Sequence, residues 1–206
     1  KANLQLPENG LVVMTGGNVS GRDFKSGLVA IKPSGVKYAN MRPEDIVVVD
    51  LSGKVKEGRL RPSVDTLSHL IIYNGRKDIG GICHTHSPYA TSFAVLGMPI
   101  PVYLTAHADE FGGTIPVSRF ASADLRETGI AVLEALGKKN VPAVLVKSHG
   151  VFTFGASPME AVKAAVMLEQ IAKTCHLALL KGKPKPLTNK EALGYYRRYH
   201  EVYGQK

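Results

Sequence analysis

The stretch Ala143-Val-Leu-Val-Lys-Ser-His-Gly-Val-Phe-Thr-Phe154 decides the fold. Two apolar runs, Ala143 to Val146 and Val151 to Phe154, are separated only by Lys147-Ser148-His149-Gly150. A connection that short joins antiparallel strands in a hairpin, whereas parallel strands need a crossover of a dozen or more residues, so the sheet is at least partly antiparallel. Moving outward, the runs Leu11 to Met14, Leu28 to Ile31, Ile46 to Val49 and Gly81 to Cys83 are bounded by Gly, Pro, Asp and Ser and also read as strands. Pro101 to Leu104 is strand-like as well.

Helical patterns lie between them: Asp65 to Tyr73, Pro88 to Leu96, Ala123 to Leu136 and, longest, Met159 to Leu180. In the last, Ala161, Ala164, Ala165, Leu168, Ile171, Ala172, Cys175 and Ala178 recur at spacings of three and four, after Ser157-Pro158 as N-cap and first helical residue. Thr188 with Glu191 three residues on forms a capping box for a final helix to Val202. Asn3-Leu4-Gln5-Leu6 reads as the end of a helix whose earlier turns precede Lys1. Strands interleaved with helices predict one layered α/β domain over residues 1–206, with helices on both faces of a mixed sheet.

The chain has 206 residues, is 44% hydrophobic and shows no break in composition, which fits a single sizeable core. No apolar run approaches the roughly 18 to 20 residues of a membrane span, and nothing resembles a signal peptide, so no membrane association is expected. Two cysteines, Cys83 and Cys175, are too few for a disulfide framework and suggest the cytoplasm. The net charge of +9 draws anions. Its densest stretch, Lys181-Gly-Lys-Pro-Lys-Pro, has no aromatic and reads as a solvated linker, so a nucleic-acid partner is not expected.

His84-Thr85-His86 follows a buried-looking strand, and residues two apart in a strand share a face. Cys83 then faces the opposite side and reads as core. His149 sits at the hairpin turn. Three neutral imidazoles with an open fourth position are how catalytic zinc is held, and ordinary half-exposed histidines at a strand end are the alternative. Thr15-Gly-Gly-Asn-Val-Ser-Gly, Lys32-Pro-Ser-Gly and Arg61-Pro-Ser-Val-Asp-Thr are polar glycine-bearing or serine-bearing turns suited to phosphate, although any one of them alone reads as a plain turn. Asp65 can cap its helix through a free backbone N–H, or serve the metal site. In Thr105-Ala-His-Ala-Asp109, His107 and Asp109 are acid/base groups or make loop hydrogen bonds; spacing does not separate the two.

Taken together, Gly17-Asn-Val-Ser, Lys32-Pro-Ser-Gly, Arg61-Pro-Ser-Val-Asp-Thr, His84-Thr-His-Ser, Thr105-Ala-His-Ala-Asp and Ser148-His-Gly resemble the class II aldolase and L-ribulose-5-phosphate 4-epimerase superfamily, most closely its epimerase branch, over nearly the whole chain. The resemblance implies a three-layer α/β/α fold around a largely antiparallel sheet, and a C4 homotetramer with active sites between subunits. It implies zinc on His84, His86 and His149, with Asp65 assigned to the metal site. Asn18, Lys32, Ser34, Gly35 and Ser63 become the phosphate site for a phosphorylated ketose. Asp109 and Tyr203 match an acid/base pair contributed by an adjacent subunit, and Thr105 matches the same pattern; on position alone, Tyr203 reads as an exposed terminal aromatic.

The chain departs from the epimerases at Val64, where they carry a second serine, at Gly16, and in a shorter stretch after Arg119. The reaction implied is epimerisation by breaking and remaking a carbon–carbon bond. The rivals are a sugar-phosphate aldolase, or related dehydratase or decarboxylase, and a non-enzymatic binding module of the same fold.

Overall fold

A computed structural model describes residues 1–121 and 125–203. Seven strands, β1 (Asn18–Arg22), β2 (Val29–Ile31), β3 (Val47–Val49), β4 (Val55–Glu57), β5 (Gly81–Thr85), β6 (Ala143–Val146) and β7 (Gly150–Gly155), form one sheet in the order β4-β3-β2-β1-β5-β7-β6. Every ladder between them is antiparallel. The parallel component of the expected mixed sheet comes down, among the described residues, to an isolated bridge between Val117 and Leu145.

The helices are α1 (Gln5–Glu8), α2 (Thr66–Gly75), α3 (Pro88–Leu96), α4 (Thr105–Phe111), α5 (Leu125–Leu136), α6 (Pro158–Lys181) and α7 (Asn189–Val202). Strand alternation divides the core between two faces. Ile82, Val144, Phe152 and Phe154 pack with Leu70, Ile72 and Tyr73 of α2 and with Val132 and Leu136 of α5. On the other face Cys83 meets Ala161 and Ala165 of α6, while Leu145 and Val151 meet Ala164, Leu168, Ile171 and Cys175 and the α3 residues Ala90, Phe93 and Ala94. The result is the expected α/β/α sandwich. Cys83 is core, as its alternation requires.

The small residues of α6 let its backbone lie close to the sheet, and all of its predicted face is buried except the half-buried Ala178. Ser157 Oγ accepts from the Glu160 N–H at 3.3 Å, and the Thr188–Glu191 capping box opens α7. The predicted start of α5 at Ala123 lies outside the described residues. Among those described, no helix is long and apolar enough to cross a membrane.

Three local expectations fail. Leu11 to Met14 is not a strand: Leu11 donates its N–H to Leu6 and fills the core below α6, and the chain then turns through Met14 at φ 57°. Pro101 to Leu104 joins no ladder; its carbonyl at Val102 accepts from the Leu187 N–H. Thr105 to Asp109 is helix, not loop. Conversely, β1 and β4 carry too few apolar residues to be recognised from sequence.

Candidate metal and phosphate site

The topology collects one end of four adjacent strands. In the antiparallel ladders the end of β2, the start of β1, the end of β5 and the start of β7 lie side by side. Lys32 follows β2, Asn18 opens β1 opposite His84 of β5, and His149 precedes β7. A cavity of about 630 Å³ lies over these ends.

His84, His86 and His149 form a nearly equilateral triangle, with ring centroids 4.9, 4.9 and 5.0 Å apart. One ring nitrogen from each lies within 4.8 Å of the others. His84 Nδ1 donates to the Val151 carbonyl at 2.9 Å, and its ring stacks on Phe152 at 4.3 Å, so both its tautomer and its plane are fixed. Its Nε2, carrying a lone pair, sits 3.1 Å from His86 Nε2. At that distance His86 Nε2–H can donate to the His84 lone pair, or both lone pairs can turn to one metal ion. Burial, partly opposed by Asp65, pushes His84 down to about 3, and burial together with His86 lowers His149. Neutral imidazoles around neutral pH are what a divalent ion needs.

Two close approaches set this geometry. A Cβ at residue 150 would lie 2.5 Å from the Thr85 carbonyl oxygen and 2.6 Å from His86 Cδ2, so glycine is required beside the ring. Gly17, at φ 71°, runs where a Cβ would meet the His84 carbonyl oxygen at 2.9 Å.

Asp65 lines the cavity but does not belong to the group of three ligand atoms. Nor does its side chain cap α2, as sequence suggested: Oδ2 instead accepts from Asn18 Nδ2 at 2.7 Å. Burial would raise its carboxyl, but His84, His69 and the Asn18 hydrogen bond together hold it below the usual range. Asn18 also donates to Ser63 Oγ at 3.1 Å. All five residues read as phosphate donors, Asn18, Lys32, Ser34, Gly35 and Ser63, line this one cavity with the histidines. Lys32 is 2% exposed; its ammonium donates to the Thr15 and Pro33 carbonyls and lies 4.9 Å from the centroid of the Tyr38 ring. Burial lowers its pKa against the pull of Asp65.

Thr105, Asp109 and Tyr203 do not line the cavity. Thr105 and Asp109 are on α4, whose Ala108 packs in one cluster with Ala192 of α7 and with Val102 of the preceding segment. Tyr203 ends α7, 71% exposed and stacked on Tyr199 at 5.1 Å. His107 is buried and donates from Nε2 to the Gly113 carbonyl at 3.0 Å, the hydrogen-bonding alternative of the sequence reading.

Sequence reasoning passed over His69 and Tyr38. His69, one helical turn after Asp65, is fully buried and bonds Ser20 Oγ at 2.7 Å through Nδ1; its position at i+4 from Asp65 was the available signal. Tyr38 Oη binds the Gly16 and Gly17 carbonyls at 2.9 Å each and so braces the loop against His84. Phe120 and Ser148 also line the cavity.

Residues 1–176 match the family described as Class II Aldolase and Adducin N-terminal domain. The chain is 45% identical over 186 residues to L-ribulose-5-phosphate 4-epimerase UlaF of Salmonella paratyphi B (strain ATCC BAA-1250 / SPB7), covering 86% of this chain and 82% of that protein. Among solved structures it is similar to an L-fuculose 1-phosphate aldolase, with a TM-score of 0.89, 33% identity and coverage of 95% of this chain and 91% of that one. It is also similar to L-fuculose 1-phosphate aldolase from Glaciozyma antarctica PI12, with a TM-score of 0.79, 25% identity and coverage of 96% and 78%.

Proposed function

Because the chain belongs to the class II aldolase and adducin N-terminal domain family, we propose that it is a zinc-dependent L-ribulose-5-phosphate 4-epimerase, interconverting L-ribulose 5-phosphate and D-xylulose 5-phosphate. The observation that carries this reading is the meeting of the three-histidine group and five phosphate-type donors in one cavity. The cavity crosses from β2 to β7, three interstrand steps or about 14 Å. That length takes a phosphate at the β2 end and a hydroxylated carbon chain against the histidines.

His84, His86 and His149 would hold the zinc, with Asp65 serving the same centre beside Asn18. When bound, the ion supplies a fixed positive charge next to the ketose carbonyl, stabilising the electrons left when the C3–C4 bond breaks. Lys32, Ser34, Gly35 and Ser63 keep the phosphorylated aldehyde in place while it turns its other face. Asp109 and Tyr203 from a neighbouring copy then deliver and remove the proton on the C4 oxygen, one for each stereoisomer. Neither lines the cavity of its own chain, so this reading requires them from an adjacent subunit of a homotetramer, and the exposure of Val13 (81%) and Met14 (74%), which precede the cavity-lining Thr15 to Gly17, offers apolar surface for such a contact. The buried free thiols of Cys83 and Cys175 fit a cytoplasmic location.

The similarity to L-fuculose 1-phosphate aldolase favours a second reading, a sugar-phosphate aldolase that releases its aldehyde. Incubating the zinc-loaded protein with L-ribulose 5-phosphate separates them. D-xylulose 5-phosphate without accumulated glycolaldehyde phosphate is the expected result. Free aldehyde would establish the aldolase, and no turnover with zinc bound would overturn both for this substrate.

A further inference from the structure

The β6–β7 turn closes on the His149 N–H, which donates to the Val146 carbonyl at 3.0 Å, and it places Ser148 at φ 58°. Glycine or asparagine takes such a left-handed position without strain; another residue there costs about 1 kcal/mol. The chain has a glycine two residues later, at Gly150, where close approach to His86 forbids a side chain, yet keeps a serine where the backbone asks for glycine. The Ser148 N–H is tied to the Ala94 carbonyl at 3.1 Å, so the turn is held from α3. Its hydroxyl has no hydrogen-bond partner among the described residues; Ser148 is exposed and lines the cavity next to His149.

An observed backbone outlier at a residue that lines a cavity points to a use for that residue there. Ser148 lies at the β7 end of the cavity, across β1 and β5 from Ser34 and Gly35 at the β2 end. We infer that Ser148 is a substrate-binding residue whose Oγ hydrogen-bonds the terminal hydroxyl of the ketose, at the end of the substrate opposite its phosphate. The inference rests on the sugar-phosphate reading above and extends it, because it makes the C1 hydroxyl a recognised group. A serine hydroxyl both donates and accepts, which matches an alcohol.

The test compares wild-type, Ser148→Gly and Ser148→Ala proteins, each zinc-loaded, on L-ribulose 5-phosphate and on its 1-deoxy analogue. Both variants should retain wild-type zinc content and lose about tenfold or more in kcat/KM on the full substrate. Ser148→Gly should melt no lower than wild type, since glycine suits the turn. On the 1-deoxy analogue the wild type should fall to the level of the variants, and the variants should lose nothing further. A Ser148→Gly enzyme with wild-type kcat/KM would overturn the inference. So would a loss that tracks zinc content, or one that persists undiminished on the 1-deoxy analogue. The wild-type rate on the full substrate is read first: if it is zero, the functional reading itself has failed, and this inference with it.

Discussion

Asn18 Nδ2 donates to Asp65 Oδ2 at 2.7 Å, tying the first residue of β1 to the residue that opens α2. The bond joins the side of the cavity proposed for phosphate to the side proposed for the metal. A hydrogen bond to a charged group contributes roughly 1.5 to 3 kcal/mol to stability, so Asn18→Ala should lower the melting temperature and, by releasing Asp65 beside the histidines, lower kcat/KM as well. Asn18→Asp, which sets two carboxylates against each other, should be worse than alanine. Wild-type kinetics for both would remove this contact from the active site.

Replacement of His86 by alanine should reduce bound zinc well below one per chain, read by metal analysis after dialysis. Chelator should lower the melting temperature of the wild type but hardly that of this variant, because a ligand that binds only the folded state stabilises it by mass action. Full zinc occupancy in His86→Ala would refute the ligand assignment.

Gly150→Ala forces a methyl to 2.6 Å from His86 Cδ2 and 2.5 Å from a backbone carbonyl that cannot move alone. Overpacking of this kind costs about 1 to 3 kcal/mol. Denaturant melts should show that loss together with weaker zinc binding, whereas Gly182→Ala, where a Cβ meets nothing, should leave both intact.

Acid should destabilise the protein through histidines outside the metal group. Burial lowers both His69 and His107 to about 4. The unfolded chain takes up those protons from about pH 6.5 downward while the folded one does not. Their contribution is therefore complete above pH 6.5 and is lost as pH falls toward 4, at up to about 1.4 kcal/mol per pH unit for each. Stability measured from pH 7 to 4.5 should fall with that slope, and His107→Gln should make it shallower. A flat profile would show that these rings are already protonated in the fold.

If Asp109 and Tyr203 act on a neighbour's cavity, Asp109→Asn and His86→Ala should each be inactive, yet tetramers co-refolded from both should recover activity. In a mixed tetramer some sites draw an intact His86 from one chain and an intact Asp109 from the next. No recovery would place both groups within one chain.

The two faces of the sheet were legible because β5, β6 and β7 are continuous apolar runs and α6 is strongly periodic. The histidine triangle was legible because two of its members stand at i and i+2 and the third in a hairpin turn. Less visible was β1, whose Asn18, Ser20 and Gly21 read as a polar turn: Ser20 is buried against His69 and Tyr73, a pairing that only tertiary contact makes affordable. Residues 11 to 14 misled for the opposite reason, since Val13 and Met14 are apolar but exposed. The separation of Asp109 and Tyr203 from the cavity came from family resemblance alone, and no spacing in the chain encodes it.

The hydrogen bond from His84 to Val151 joins positions 67 apart in sequence. A nascent chain therefore carries His84 and His86 long before His149 exists to complete the triangle. Two imidazoles hold a divalent ion far less firmly than three, so during synthesis an ion at this site would have little grip until the hairpin has emerged and paired with β5. Uptake of an ion here would thus be a late event that follows assembly of the sheet, and a polypeptide cut short before the hairpin would not trap a divalent metal at this site.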